Sequence, residues 1–150
     1  KNAYLIMGNA YYYMQDYDNA ITAYGNALKI DPDYKDAFTN QAIALREAGK
    51  NAGEKENNLQ KAETYLLKSL QMAPHDTETL RLLGVLNGIK GNHTEAIKYF
   101  ESVVAQDQKN ANAYLNLSTA QRNAGDANSA QISLQKALQL DPTILSKQGN

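Results

Sequence analysis

A repeat with a basic period of 34 residues is the feature of this sequence that most limits its fold. The chain has three prolines: Pro74 follows Pro32 by 42 residues, and Pro142 follows Pro74 by 68 residues, which is two steps of 34. The same steps connect four alanines and four large residues, namely Ala20, Ala62, Ala96 and Ala130, and Tyr24, Leu66, Phe100 and Leu134. Because residues of three kinds recur in one frame, the sequence predicts one structural unit repeated four times.

Each repeat is predicted to contain two helices. In the third repeat, apolar residues follow the spacing of one helix face at Ala96, Ile97, Phe100, Val103 and Val104. A residue with a side-chain acceptor precedes each second helix, where it is expected to cap the helix N-terminus: Asp16, Asn58, Asn92 and Asp126. Glu95, three residues after Asn92, resembles the partner in a capping box. Glycines are predicted to end the first helix of the last three repeats, at Gly49, Gly91 and Gly125.

An insertion explains why the first step is 42 residues long. The eight residues Lys50 to Asn57, KNAGEKEN, stand between Gly49 and the capping residue Asn58. They include no large apolar side chain, so we expect that they cannot anchor in a core. The segment is therefore interpreted as a solvated excursion or a one-turn helix extension, in preference to a functional loop.

The repeat resembles the tetratricopeptide repeat family. The first unit carries the family's pattern of aromatic, Leu-Gly-like, small and proline positions as Tyr4, Met7-Gly8, Tyr11, Ala20, Tyr24, Ala27 and Pro32. The resemblance extends to about residue 144 and implies an all-α fold, a right-handed superhelical stack of four helix-turn-helix hairpins. We expect a single domain over 1–150, with repeats at about 1–34, 35–76, 77–110 and 111–144. The truncated segment 145–150 is expected to begin a further helix.

Composition limits the classes of partner. With 15 basic and 16 acidic residues the net charge is −1, so the chain gives no global electrostatic argument for binding nucleic acid. No stretch has the roughly 18 apolar residues of a membrane span. The first residues are neither an initiator methionine nor a signal peptide, and we interpret the chain as a trimmed fragment or a processed product. The absence of cysteine leaves cytoplasmic and periplasmic locations equally compatible.

No motif for catalysis or for a cofactor is recognised. The two histidines, His75 and His93, have no second ligand at metal-binding spacing and are interpreted as surface residues. Glycines occur singly, so there is no glycine-rich phosphate loop. The sequence therefore predicts a non-catalytic protein without metal or cofactor.

The resemblance implies that the first helix of each repeat lines a concave groove. The groove positions predicted to contact a peptide or helix of a partner protein are Asn9, Tyr12, Tyr13, Asn40, Ile43, Arg46, Arg81, Val85, Gly88, Asn112, Asn116 and Arg122. The family's carboxylate clamp is not expected, because its cationic positions hold Leu5, Glu78 and Leu82. Gly88 is predicted to leave a notch between Ile89 and Arg122, and Tyr13 stands where a polar residue is usual.

Three alternatives remain open. The groove asparagines could be ordinary helix-surface residues of the family. The last helix, with Ile132, Leu134 and Leu138, is expected to leave apolar surface open, which favours a structural module that self-associates. The chain could also be a regulatory segment of a larger enzyme.

Overall fold

The computed structural model describes residues 1–149, and within them it contains eight α-helices and no strand. The helices are α1 (Asn2–Tyr13), α2 (Tyr17–Ile30), α3 (Lys35–Glu54), α4 (Leu59–Met72), α5 (Thr77–Ile89), α6 (His93–Gln106), α7 (Ala111–Asn123) and α8 (Ala127–Leu140). A short 3-10 helix covers Ser146–Gly149. The all-α helical-repeat prediction is confirmed.

Contacts divide the chain into two compact units, the first formed by residues 1–79 and the second beginning at Leu80. In the first unit α1 packs against α2, α2 against α3 and α3 against α4, and α1 also touches α3. In the second unit α6 packs against α7, and α7 against α8. The assignment of residues 1–150 to one domain stays a prediction.

A glycine in the first helix allows a ring of the second helix to approach its backbone. A Cβ added at Gly8 would lie 2.4 Å from Cε1 of Tyr24, and one added at Gly84 would lie 2.7 Å from Cε1 of Phe100. Tyr24 and Phe100 are both buried. Because the ring occupies the volume that a side chain would need, these two helix pairs depend on glycine at this position.

The turn between the two helices of each repeat has a residue in the left-handed backbone region immediately before the helix cap. These residues are Gln15 (φ 61°), Asn57 (φ 50°), Gly91 (φ 78°) and Gly125 (φ 88°). The predicted helix ends at Gly91 and Gly125 are confirmed, and the one at Gly49 is wrong. Gly49 lies inside α3, where an added Cβ would be 2.7 Å from Cγ of Leu66.

Three of the four predicted N-caps form. The side chains of Asp16, Asn58 and Asp126 accept from the backbone N–H groups three residues later. Asn92 makes no such bond. Its amide donates instead to the side chain of Asn87 over 3.3 Å. Glu95 pairs with Lys98 at 2.7 Å, so the predicted capping box is also wrong.

The insertion lengthens α3. The helix continues through the inserted residues to Glu54, and the turn to α4 falls at 55–58. Ala52 is fully buried, so the expectation that the insertion cannot anchor in a core is wrong. A methyl group is sufficient for this burial, because the continuous helix α3 carries Ala52 into the interior.

The C-terminal segment, which was predicted to begin a further helix, forms a short 3-10 helix. Ile144 is 1% exposed, and Lys147 pairs with Asp141 at 2.7 Å before the 3-10 helix ends at Gly149. On α8, Ile132 is 68% exposed, as predicted, whereas Leu134 and Leu138 are half-buried. The open apolar surface on this helix is therefore smaller than the sequence indicated. Residue 150 lies outside the described residues.

Tyr65 on α4 is tied to the start of α2. Its hydroxyl donates to Oδ1 of Asp18. This hydrogen bond, followed by burial and the negative charge of Asp18, raises the pKa of Tyr65 to about 12. Tyr65 and Asp18 line a polar cleft of about 120 Å³ to which Asn51 and Glu56 of the insertion also contribute.

Substitutions at two glycines of α5 should have opposite effects. Gly84→Ala places a methyl group against Phe100 and should lower the free energy of unfolding by about 1–3 kcal/mol. Gly88→Ala meets no atom within 4 Å. It should therefore raise the free energy of unfolding by about 0.5–1 kcal/mol through helix propensity. Urea denaturation measures both, and equal effects would contradict the close approach at Gly84.

Tyr65 should ionise later than a free tyrosine. Absorbance titration of the natural chain should show a phenolate transition near pH 12. This transition should be missing from Tyr65→Phe. Because the folded-state pKa is raised, the hydrogen bond stabilises the fold fully below about pH 10 and is lost as the pH rises towards 12. Asp18→Asn should move the transition downward, and a transition that stays in place would exclude Asp18 as the cause.

Candidate functional site

The first unit brings five of the predicted groove residues into one cleft of about 200 Å³. Asn9, Tyr12 and Tyr13 come from α1, and Asn40 and Ile43 come from α3. On each helix the spacing of three or four residues places them on one face, and the contact between α1 and α3 joins the two faces. Tyr24 of α2, which was not predicted as a site residue, also lines this cleft.

A hydrogen-bond network orients the two asparagines of this cleft. Oδ1 of Asn9 accepts from the hydroxyl of Tyr24 at 2.8 Å and from Nδ2 of Asn40 at 3.0 Å. Within the part of the chain that the structure describes, no hydrogen bond is made by Nδ2 of Asn9 or by Oδ1 of Asn40. The cleft therefore offers one amide donor and one amide acceptor whose orientations are set by their neighbours.

The run of three tyrosines at 11–13 divides among different roles. Tyr11 and Tyr12 pack partly buried against the core formed by Ala20, Tyr24 and Ala44. Tyr12 also meets Tyr13 edge to face, with ring centroids 6.0 Å apart. Tyr13 itself is 84% exposed. Burial, followed by the charge of Glu47, raises the pKa of Tyr12, so this phenol is neutral and can donate at physiological pH.

Arg46 lines a neighbouring cleft of about 270 Å³ with Phe38, Ile43 and Met72. Its guanidinium is already engaged within the chain, by Asp76 at 3.2 Å and by Glu47 at 3.2 Å. Burial opposes the charge of Arg46, but the two carboxylates outweigh it and raise its pKa.

Asp76 is held in the same network. Burial works against its charge, yet hydrogen bonds from Thr79 and the charge of Arg46 lower the pKa of Asp76. The charge of Arg46 is therefore neutralised within the first unit. The position of Arg46 in the sequence did not indicate these ion pairs.

The second unit has its own cleft of about 280 Å³ on α5 and α7. Val85, Gly88 and Asn116 line it together with Ile89, Phe100, Thr119 and Asn123. The space beside Gly88 is open, since an added Cβ would meet no atom within 4 Å. Arg122 is not among the lining residues, and Thr119 and Asn123 occupy the border predicted for it.

Three of the predicted groove residues line none of the three clefts described above. They are Arg81, which is half-buried, and Asn112 and Arg122, which are exposed. Residues missed by the sequence argument are Tyr24 and Asp76. The signal for Tyr24 was available: it carries a hydroxyl where the other repeats have Leu66, Phe100 and Leu134.

Residues 1–149 contain neither a group of metal ligands nor a membrane-spanning helix. No three His, Asp or Glu side chains in this range are grouped as metal ligands would be. Among the helices of the same range, none combines the length and the apolar character needed to cross a bilayer.

Comparison with known proteins identifies the repeat. Family models described as TPR repeat match residues 8–49, and models described as tetratricopeptide repeat match 54–111 and 89–145. No curated protein sequence matches the chain.

Solved structures share the fold. The MamA protein is 20% identical over 97% of this chain and 93% of its own, with a TM-score of 0.63. YrrB, described as a TPR protein with an unusual peptide-binding site, is 19% identical over 97% of this chain and 90% of its own, with a TM-score of 0.61. These two likenesses show the fold alone.

A third structure is a mutant O-GlcNAc transferase from Thermobaculum terrenum. It is 31% identical over 67% of this chain, with a TM-score of 0.61, and the match covers 19% of the transferase.

Three observations agree on the family. They are the 34-residue repeat, the helix pairs in which a ring packs against a glycine, and the three family-model matches across the chain. The protein therefore belongs to the tetratricopeptide repeat family.

Proposed function

We propose that this protein is a non-catalytic scaffold that holds a segment of a partner protein on the first helices of its repeats. Proteins of this family bind proteins or peptides and are generally not catalysts. The near-zero net charge supports a protein partner rather than nucleic acid. The proposed contact residues in the first unit are Asn9, Tyr12, Tyr13, Asn40, Ile43 and Arg46.

The cleft between α1 and α3 carries this proposal. It combines unpaired amide atoms on Asn9 and Asn40 with the exposed ring of Tyr13. An amide donor beside an amide acceptor suits an extended peptide, and a tyrosine supplies a large contact area at low entropic cost. An exposed aromatic ring beside oriented polar groups is typical of a binding surface.

An acidic tail is not the proposed ligand. The family's clamp for a terminal carboxylate needs cationic side chains, and Leu5, Glu78 and Leu82 replace them. Arg46, a cation of the first unit's clefts, is neutralised by Asp76. A carboxylate placed there would lose its hydration without a charged partner in return.

The cleft of the second unit is proposed as a second contact area, which accepts a bulky apolar residue of the partner beside Gly88. Val85, Gly88 and Asn116 are its proposed contact residues. Arg81, Asn112 and Arg122 are proposed to contact the partner outside it. The space is open at this point because glycine stands where the first repeat has Tyr12.

A regulatory segment within a larger enzyme is a second candidate function. The 31% identity to a part of an O-GlcNAc transferase favours it, because in that protein a related segment belongs to an enzyme. The catalytic residues would then lie outside these 150 positions, and the same clefts would recruit the substrate protein.

Peptides selected by random display against the whole chain test the proposed scaffold. Tyr13→Ser should weaken a peptide bound at the first unit by about tenfold or more, because an exposed aromatic anchor is lost. Gly88→Tyr should weaken a peptide bound at the second unit. Leu67→Ser, an exposed apolar residue on α4, is the matched control and should leave affinity unchanged. Fluorescence anisotropy measures each affinity.

Two outcomes would contradict the scaffold. One is the recovery of no binding peptide at all. The other is equal weakening by Leu67→Ser and by the cleft substitutions, which would show adhesion to apolar surface in general.

Self-association through the last repeat is the third candidate. Ile132 is exposed on α8 and Leu145 is exposed after it. If this surface joins two copies, light scattering should show a dimer that Ile132→Glu converts to a monomer. Ile30→Glu, which changes another exposed isoleucine on α2, should leave the dimer intact. A monomer at all concentrations would refute the candidate.

A further inference from the structure

We infer that the cleft of the first unit recognises a neutral carboxamide, the side chain of a glutamine or asparagine in the partner segment, and that Tyr24 is the positioning residue for this recognition. The inference rests on the proposed scaffold function and assigns the chemistry of its first contact area. It follows from the hydrogen bonds, the burial and the lining of the cleft.

The unpaired atoms of Asn9 and Asn40 are complementary to a carboxamide. The hydrogen bond between the two side chains uses Oδ1 of Asn9 and Nδ2 of Asn40. The remaining groups are a donor, Nδ2 of Asn9, and an acceptor, Oδ1 of Asn40, on two amides that are in direct contact. A ligand carboxamide has one acceptor oxygen and one donor nitrogen, so it can satisfy both at once.

Tyr24 holds the amides in their orientation together with Asn40. Its hydroxyl donates to Oδ1 of Asn9 at 2.8 Å, and a rotated Asn9 would lose this oxygen acceptor and turn its own Nδ2 donor towards the Nδ2 donor of Asn40. The ring is held in turn by close contact with Gly8. Burial is the main cause that raises the pKa of Tyr24, and the phenol therefore keeps its proton. Asn9 is thus oriented before a ligand arrives, which reduces the entropic cost of binding.

The lining of the cleft favours a neutral ligand. Its six lining residues are Asn9, Tyr12, Tyr13, Tyr24, Asn40 and Ile43, none of which is charged at neutral pH. A carboxylate or an ammonium group would be desolvated without an opposite charge, whereas a carboxamide exchanges hydrogen bonds with water for hydrogen bonds with the cleft. The rings of Tyr12 and Tyr13 and the side chain of Ile43 can cover the methylene stem of a glutamine.

The size of the cleft indicates a single side chain. Its volume of about 200 Å³ is below the range of roughly 300–1,000 Å³ that is usual for small-molecule sites. A partner would therefore insert one residue here while its backbone continues over the surface.

The other repeats provide an internal control. Asn116 stands at the same repeat position as Asn40 and lines the cleft of the second unit. The ring on α6 there is Phe100, which approaches Gly84 as Tyr24 approaches Gly8 but has no hydroxyl. The ring hydroxyl that donates to Asn9 therefore has no counterpart at Phe100, although the packing of the ring against a glycine occurs in both units.

Nuclear magnetic resonance on the full 15N-labelled chain tests the inference. The probes are the N-acetyl methylamides of glutamine, glutamate and methionine, which have stems of similar length. The glutamine probe should shift the side-chain amide signals of Asn9 and Asn40 and bind about tenfold more tightly than the glutamate probe. Equal affinity for all three probes would show that the cleft binds the peptide backbone and not the side chain. That result, or the absence of any shift in the side-chain amide signals of Asn9, would overturn the inference.

Three variants separate positioning from stability. Tyr24→Phe reproduces the ring present at Phe100, so helix content and cooperative unfolding should be retained. It should nevertheless reduce the preference for glutamine over glutamate several-fold. Asn9→Asp removes the donor and should abolish binding of the glutamine probe, whereas Asn128→Asp makes the same change at an exposed position of α8 outside both clefts and should leave it unaffected. A preference unchanged by Tyr24→Phe would reject Tyr24 as a positioning residue.

The displayed peptides distinguish this inference from the scaffold function on which it rests. If Tyr13-dependent peptides are recovered and carry glutamine or asparagine at one recurrent position, both are supported. If such peptides are recovered without that preference, the carboxamide assignment fails while the scaffold function stands. If no peptide binds, the scaffold function itself fails.

Discussion

The close contact between a glycine of the first helix and a ring of the second is the interaction on which the rest of the structure depends. Gly8 with Tyr24 and Gly84 with Phe100 hold one helix pair in each of the two compact units. The contact allows two helix backbones to approach with a flat ring between them, and it fixes that ring in one place. In the first unit the fixed ring carries a hydroxyl, so the packing contact also orients a polar group at the surface.

The repeat separates what must be kept from what can vary. Each helix pair is held by a large residue of the second helix that packs against the first helix. From repeat to repeat this large residue differs mainly in size and polarity, as Tyr24 and Phe100 do. The positions on the cleft-lining face of the first helices vary more widely, so Tyr12 in one repeat corresponds to Gly88 in another. One architecture therefore presents two clefts of different chemistry, one with oriented amides and one with an open apolar space.

The candidate site was partly predictable. The resemblance to the repeat family implied that Asn9, Tyr12, Tyr13, Asn40 and Ile43 face one groove, and these five residues line one cleft because helical spacing puts them on one face of α1 and of α3. The pairing of Arg46 with Asp76 was not visible, because those residues are 30 positions apart, with Arg46 in α3 and Asp76 in the turn before α5. The part of Tyr24 in the cleft was missed for a similar reason, since its repeat position predicts packing and only its hydroxyl indicates a second role.

The sequence by itself determined the number, order and approximate limits of the helices, because periodic apolar residues and capping residues act over a few neighbouring positions. Only the tertiary structure decided how far α3 extends, since Gly49, a poor helix former, packs closely against Leu66 of α4 and the inserted Ala52 is buried. It also decided that Ile144 is buried and that Oδ1 of Asn9 turns towards Tyr24 and Asn40. These outcomes depend on atoms that are distant in the chain, and no local pattern of residues contains them.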